Sequence, residues 1–454
     1  MEFIRHPASF RDPSGFIFSH NGTVYRQVNL FYKDDFELLL QSGLYNSLVQ
    51  KKIMISHRQS NENFSGFDNW YTTLLPEQLN YISYPFEWSF DMLKDAALVT
   101  LEAVQEGLKF GMMLKDASAF NIQFHEGKMR LIDSLSFEKY DGSSPWIAYR
   151  QFCEHFLAPL SIMHYLHEPV QALFFANPEG LGLKLAQKLL PYRSKLNLNT
   201  YLHLHLQSNF SAKTSGGNYR SRYNASKLTR LLKSLTETVT NYNFSETKTS
   251  WTNYYEEVAL RENYLNAKKE IIEAWLSKIT AIKAIDLGAN DGSFSEMLAS
   301  KNIFTISADS DHSVINKLYT KIQKKGILNI HPLLINLANP TPSFGLNNLE
   351  RDSFINRSNT DLVIALALIH HLAIAKNIPF EEIANLFRKL GKKLIVEFIP
   401  KEDEKIKLLL AQRKDVFENY TEENFLKAFS VYYKIINSQE IGNSKRKLFL
   451  MDLL

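Results

Sequence analysis

"AIDLGANDGSFSEML", residues 284–298, places an acidic residue at the end of an apolar run, then a tight turn with two glycines, then a helix-forming segment. Glycine lets the backbone bend sharply and approach a ligand closely, and the amides at the start of the following helix point at whatever lies there. The spacing is D-x-G-x-x-x-G. It differs from the G-x-G-x-x-G of dinucleotide folds and from the G-x-x-x-x-G-K-[ST] of a phosphate loop. No lysine stands ready for a phosphate. The turn suits a cofactor whose tail is a zwitterionic amino acid. Asp309 follows Asp286 by 23 residues and ends a second apolar run, "FTISAD", where a carboxylate can grip two ribose hydroxyls.

Outward from this turn, short apolar runs alternate with longer mixed segments: "KAIDLG", "FTISAD", "HPLLIN", "DLVIALAL" and "KKLIVEF". Such runs predict buried parallel strands in an α/β, doubly wound, Rossmann-like sheet. Here the sequence resembles the class I S-adenosylmethionine-dependent methyltransferases, over residues 250–454. The resemblance implies S-adenosyl-L-methionine as cofactor. It implies a cofactor turn made of Asp286, Gly288, Ala289, Asn290, Asp291 and Gly292, with the ribose on Asp309. "DLVIALALIHHL" matches the fourth strand and the loop where many small-molecule members place the acceptor. His370 and His371 in that loop are candidate general bases, because a histidine can take a proton as the methyl group arrives. The bland alternative is that one caps the loop or packs beneath the cofactor, since methyl transfer needs in-line positioning above all.

Two departures stand out. The third strand ends in Asn336, where an acidic residue often follows in this family. Residues 339–359, "NPTPSFGLNNLERDSFINRSN", form a long insertion, equally a candidate lid or acceptor-binding loop and an ordinary surface excursion. Members that methylate amino groups of nucleic-acid bases carry N-P-P-[YF] after the fourth strand; this chain has Leu366-Ala367-Leu368-Ile369. That argues against base methylation.

The 454-residue chain is too long for one ordinary core, so two or three domains are expected. A net charge of +4 permits an anionic partner without demanding one. The single cysteine, Cys153, excludes an internal disulfide, fits a reducing compartment and reads as part of a buried helix. No secretory signal and no membrane span are read, so a cytoplasmic location is expected.

The first half has another texture. "GFIFSHNGTVYRQV" alternates around Asn21-Gly22, a hairpin signal, and helices are expected over residues 34–50 and 89–108. "LKDASAFNIQFHEGKMRLIDSLSF", residues 114–137, then spaces Asp116, Asn121 and Asp133 as the D-x-x-x-x-N loop and metal-holding aspartate of protein kinases are spaced. "LIDSLSF" is similar to the version in aminoglycoside and choline kinases, and the resemblance covers residues 16–200. It implies an α+β kinase-like domain in which Asp116, Asn121 and Asp133 hold magnesium and Arg26 faces the nucleotide, with Mg-ATP as a candidate second ligand. The departures are marked: Leu114 stands where histidine is usual, no glycine-rich loop surrounds Gly15 and Gly22, and Arg26 replaces the nucleotide lysine. Turn capping accounts for aspartate and asparagine equally. An inactive, substrate-presenting or regulatory domain is the favoured reading.

Three further stretches carry patterned residues. "TYLHLHLQ" puts His203 and His205 on one face of a possible strand, without a third metal ligand; no metal site is expected. "NYRSRYNASKLTR" interleaves Tyr219 and Tyr223 with arginines, a pattern that fits a solvated linker better than nucleic-acid binding. Trp251, Tyr254 and Tyr255 open an expected helical cap over the cofactor cleft, where aromatic faces attract a sulfonium, although packing of that helix onto the sheet edge is the favoured reading of them. Taken whole, the chain resembles a group of bacterial proteins that includes nodulation protein NoeA-like members. The expected organisation is a kinase-like domain (1–207), a linker and helical connector (208–250) and a methyltransferase domain with helical cap (251–454). The expected reaction is methyl transfer to an O or N of a small-molecule, glycan or lipid-linked acceptor. A bifunctional kinase–methyltransferase and a non-catalytic ligand-binding scaffold are the alternatives. Oligomeric state is not readable.

Overall fold

The computed structural model describes residues 3–207, 225–245, 259–411 and 415–454. The expected tyrosine–arginine linker around Tyr219 and Tyr223, and the aromatics Trp251, Tyr254 and Tyr255, lie outside the described residues. The chain divides into two compact units: Met1–Thr247 with Gly345–Arg351, and Lys248–Phe344 with Asp352–Leu454.

In the first unit, strands β1 (Phe3–Arg5), β2 (Gly15–His20), β3 (Thr23–Asn29), β4 (His57–Ser60) and β5 (Trp70–Pro76) form an antiparallel sheet in the order β1-β2-β3-β5-β4. The β2–β3 hairpin turns through Asn21 (φ +50°) and Gly22 (φ +77°), the left-handed pair that a tight two-residue turn requires. The expected helix over residues 34–50 is two helices, Lys33–Gln41 and Leu44–Gln50. The break is Gly43, whose φ of +87° no continuing helix accepts. A 20-residue helix, Phe90–Lys109, buries a stripe including Leu93, Ala97, Leu101 and Val104. Beyond it come β6 (Met112–Leu114), β7 (Ile122–His125), β8 (Lys128–Leu131) and β9 (Phe137–Lys139), paired β7–β8 and β6–β9.

Residues 201–206 are not the strand that "YLHLHL" suggests. They form a wide helical turn, Tyr201–Leu206. His203 hydrogen-bonds Tyr149 at 2.8 Å and Ser234 at 3.0 Å, and His205 bonds Ser194 at 2.8 Å, so both histidines join helices and do not face one ligand. Cys153 is fully buried in helix, and burial pushes its thiol up to about 12. Part of the 339–359 insertion belongs to this unit: Glu350 pairs with Arg11 at 2.7 Å, and the Arg351 guanidinium lies 5.0 Å over the Phe120 ring.

The second unit is built on seven strands: β10 (Lys283–Leu287), β11 (Phe304–Asp309), β12 (Ile330–Leu334), β13 (Thr360–Ala365), β14 (Gly391–Phe398), β15 (Tyr433–Glu440) and β16 (Lys447–Leu453). Their order is β12-β11-β10-β13-β14-β16-β15. The first five are parallel and the last two antiparallel, so the expected parallel, doubly wound sheet is a mixed sheet of Rossmann-like arrangement. Parallel strands covered on both faces must be apolar throughout, which is why "KAIDL" and "DLVIA" were visible as continuous runs. Ile272, Trp275, Leu298, Leu362, Ile364, Ile395 and Leu448 make a core on one face of the sheet. Crossover helices have conventional ends. In His312–Lys325, Asp311 accepts from the Ser313 and Val314 amides, and Gly326 closes at φ +65°.

Candidate functional site

Chain order and strand order part company between β10 and β13: the sheet first grows outward through β11 and β12, then resumes on the other side of β10. At such a switch point the loops diverge and leave a crevice at the carboxyl ends of the strands. A cavity of about 180 Å³ lies there, lined by Gly288 and Asn290 after β10, Asp309 and Ser310 after β11, Ile335 and Asn336 after β12, and Leu366–Leu368 with His371 after β13.

Each turn residue has a structural cause. Gly288 holds φ +71°, its amide bonds the Ala308 carbonyl at 2.8 Å, and a Cβ there would meet the Leu368 side chain at 3.4 Å. Asn290 takes φ +48° and donates its amide to Asp309 Oδ2 at 3.1 Å. Asp309 also accepts the Asp311 amide at 2.9 Å through Oδ1. The Ser310 amide acts on the same carboxylate, which lines the cavity, and a carboxylate oxygen can accept more than one donor. Gly292 serves packing: at φ +75° it begins the helix Ser293–Ser300, and a Cβ would lie 2.5 Å from Leu318.

Asp286, Ala289, Asp291 and Gly292 are absent from the cavity lining, unlike Gly288, Asn290 and Asp309. Asp286 is fully buried beneath the turn. The Ser295 hydroxyl donates to it at 2.7 Å and Ser307 donates to Ser295 at 2.6 Å. Burial raises its carboxyl to about 7, against the smaller opposing effect of the Ser295 bond. It braces β10 against the helix that follows the turn. Asp309 is raised too, by burial first.

Of the two histidines, His371 lines the cavity and His370 lies behind it, with ring centres 4.0 Å apart. Burial lowers His371 to about 4, and burial also holds His370 well below the ordinary imidazole value, aided by neighbouring His371 and the cationic side chains of Arg446, Lys405 and Lys268. Both are neutral near pH 7, as a proton acceptor must be, but weak bases.

Behind the Leu366–Leu368 wall stands a group that the sequence reading missed. Glu397, at the end of β14, is wholly buried. It accepts from Lys268 Nζ at 2.6 Å, from the Ala367 amide at 3.0 Å and from the Tyr264 hydroxyl. Arg446 closes the cluster, donating to Tyr264 at 3.2 Å and twice to Asp403 at 2.8 and 3.0 Å. An acidic residue inside the apolar run "KKLIVEF" was the available signal.

Of the kinase-like candidates of the first unit, Arg26 and Asp133 meet, and the Asn121 carbonyl accepts the amide of Ile132 beside Asp133 at 2.8 Å. Arg26 pairs with Asp133 at 2.7 Å and reaches Asp12 at 3.8 Å. Asp133 also accepts the Leu135 amide, and Asp116 accepts from Gln151 Nε2 and the Ser118 amide. Asn121 Nδ2 is buried without a partner. Elsewhere in this unit Glu77, His125 and Glu126 bring ligand atoms within 4.8 Å of one another, but Arg130 pairs with both carboxylates.

No protein-family model matches the chain. Among solved structures it is similar to magnesium protoporphyrin IX methyltransferase ChlM from Synechocystis PCC 6803 with bound SAH: 15% identity, TM-score 0.32, 46% of this chain and 90% of that one. The bifunctional kinase-methyltransferase WbdD gives 16% identity and TM-score 0.28 over 43% of this chain and 40% of its own. Likenesses of that size carry no argument here. Nodulation protein NoeA of Rhizobium meliloti (strain 1021) is different: it is 30% identical over 459 residues, 99% of this chain and 96% of that protein. On that full-length match, the chain belongs to the family of nodulation protein NoeA.

Proposed function

We propose that the chain is an S-adenosyl-L-methionine-dependent methyltransferase acting on an O or N of a small-molecule, glycan or lipid-linked acceptor. The carrying observation is the cavity at the sheet's switch point. There, Gly288 and Asn290 line the turn, the Asn290 amide is tied to Asp309, and the Asp309 carboxylate lines the cavity where a ribose would stand. S-adenosyl-L-methionine supplies an electrophilic methyl group when bound. The chain's own residues seat it, exclude water with Leu366, Leu368 and Leu372, and present neutral His371 to the acceptor's proton. No step asks for a metal. Calorimetry with S-adenosylmethionine tests the reading. Wild type binds, and Gly288→Arg, which fills the turn, loses binding while remaining folded. A folded wild type that takes up no cofactor overturns it.

For the first unit we propose a kinase-like domain that does not transfer phosphate. The antiparallel sheet, the long helix and the hairpin bearing Asn121 and Asp133 support that reading. The Arg26–Asp133 ion pair favours the inactive version over the bifunctional one, because a cation already sits on the carboxylate that a kinase gives to magnesium.

A further inference from the structure

Ala367 is an uncommon residue at its position. It lines the cavity between Leu366 and Leu368, yet its φ is +50°, in the left-handed region that a residue with a Cβ avoids. Something must hold it there. Its amide donates to Glu397 Oε2 at 3.0 Å, and that same oxygen accepts from Lys268 at 2.6 Å. Lys268 is itself buried, with its ammonium 5.5 Å from the Phe294 ring of the helix that follows the glycine turn and 5.0 Å from the Tyr264 ring. The Tyr264 hydroxyl occupies the other carboxylate oxygen.

We infer that Glu397 is a positioning residue: its Lys268-paired carboxylate locks the left-handed Ala367 and thereby sets the Leu366–Leu368 wall of the cavity against Gly288. The inference rests on the cofactor reading only for its consequence. The lock itself is a property of this loop. Leu368 is the side chain nearest to Gly288, at 3.4 Å from where a Cβ would stand, so a loop released from Glu397 closes or widens the place where the cofactor's tail is expected. A carboxylate that is buried only to balance Lys268 needs no amide partner. One that braces the loop does, and this is the distinction to test.

Removing one partner of a buried ion pair leaves an uncompensated charge and risks unfolding, so both partners are replaced together. Lys268→Met/Glu397→Gln keeps an oxygen for the Ala367 amide; Lys268→Met/Glu397→Leu does not. Hydrogen exchange is read at the Ala367 amide, and S-adenosylhomocysteine affinity by calorimetry, on the full chain. The expected result is Ala367 exchange at least tenfold faster in the leucine pair than in the glutamine pair. Affinity should fall at least tenfold in the first and stay within threefold in the second. Should both pairs fail to fold, Ala367→Val, at a partly exposed site, tests the same lock: a β-branched residue resists φ +50°, and affinity should fall tenfold in a folded protein. Equal exchange in the two pairs, or unchanged affinity in Ala367→Val, overturns the inference. If wild type binds no S-adenosylhomocysteine while the exchange contrast is present, the lock stands and the cofactor reading fails.

Discussion

Asp286 has no exposure to solvent worth the name, accepts from Ser295, and has its carboxyl raised to about 7. A folded-state value above the unfolded one favours the protonated folded protein. This contribution to stability is therefore whole below about pH 4 and is lost as pH rises towards 7. Asp286→Asn keeps an acceptor for Ser295 and removes the titration. Between pH 4 and 7 the second unit of wild type should lose stability relative to that variant by more than about 1 kcal/mol, one pKa unit being worth about that much. Parallel pH profiles in urea denaturation contradict this. His371 gives a second reading at the same scale. With burial holding it at about 4, its ring resonances in NMR should titrate far below the ordinary 6.5; a midpoint near 6.5 would place it in open solvent. Gly288, Asn290 and Asp309 were legible in the sequence because a turn with left-handed residues and a carboxylate at a strand end leave a local signature. Glu397 was not read, because its partners Lys268 and Ala367 lie 129 and 30 residues away and only the fold brings them in.

At the level of elements, the five parallel strands of the second unit could be read because each carries a continuous apolar run, whereas β15, polar and exposed over most of its length, and its partner β16 were not read; the β2–β3 hairpin could be read because Asn21-Gly22 dictates its own turn. The helix–strand error at residues 201–206 has the opposite cause. Histidine alternating with leucine copies a strand's period, but Tyr149, Ser234 and Ser194 bind those imidazoles into a helical layer. In the sequence, Gly15 marks only a place where a glycine-rich phosphate loop is lacking. In the structure it begins β2, where a Cβ would lie 2.0 Å from the Gln27 carbonyl oxygen and 2.8 Å from Leu135. Gly15→Ala should therefore destabilise the first unit by about 1–3 kcal/mol through overpacking, seen as an earlier denaturation midpoint. Gly22→Ala, with open space around it, meets only the left-handed backbone cost of about 1 kcal/mol. The reverse order would show that the hairpin, and not the Gly15 contact, limits this sheet.

Across the whole molecule there are two compact units, and the NoeA relative aligns with 99% of this chain and 96% of its own. The sequence changes from hairpin-and-helix texture to alternating strands and helices at about residue 281, inside the second unit. A role for the first unit was not legible, because D-x-x-x-x-N fits catalysis and turn capping alike; the structure adds that Arg26 pairs with Asp133. Calorimetry of wild type with Mg-ATP should show no binding, and Arg26→Met, which frees Asp133, tests whether the pair is what prevents it. Tight Mg-ATP binding by wild type would restore the bifunctional reading. The central claim concerns the other unit, and crystals of the full chain grown with S-adenosylhomocysteine test it most directly. The account predicts the ribose hydroxyls within hydrogen-bond distance of the Asp309 carboxylate and the amino-acid tail against Gly288; a cofactor bound elsewhere, or a crevice closed by Leu368 with no cofactor in it, would contradict it.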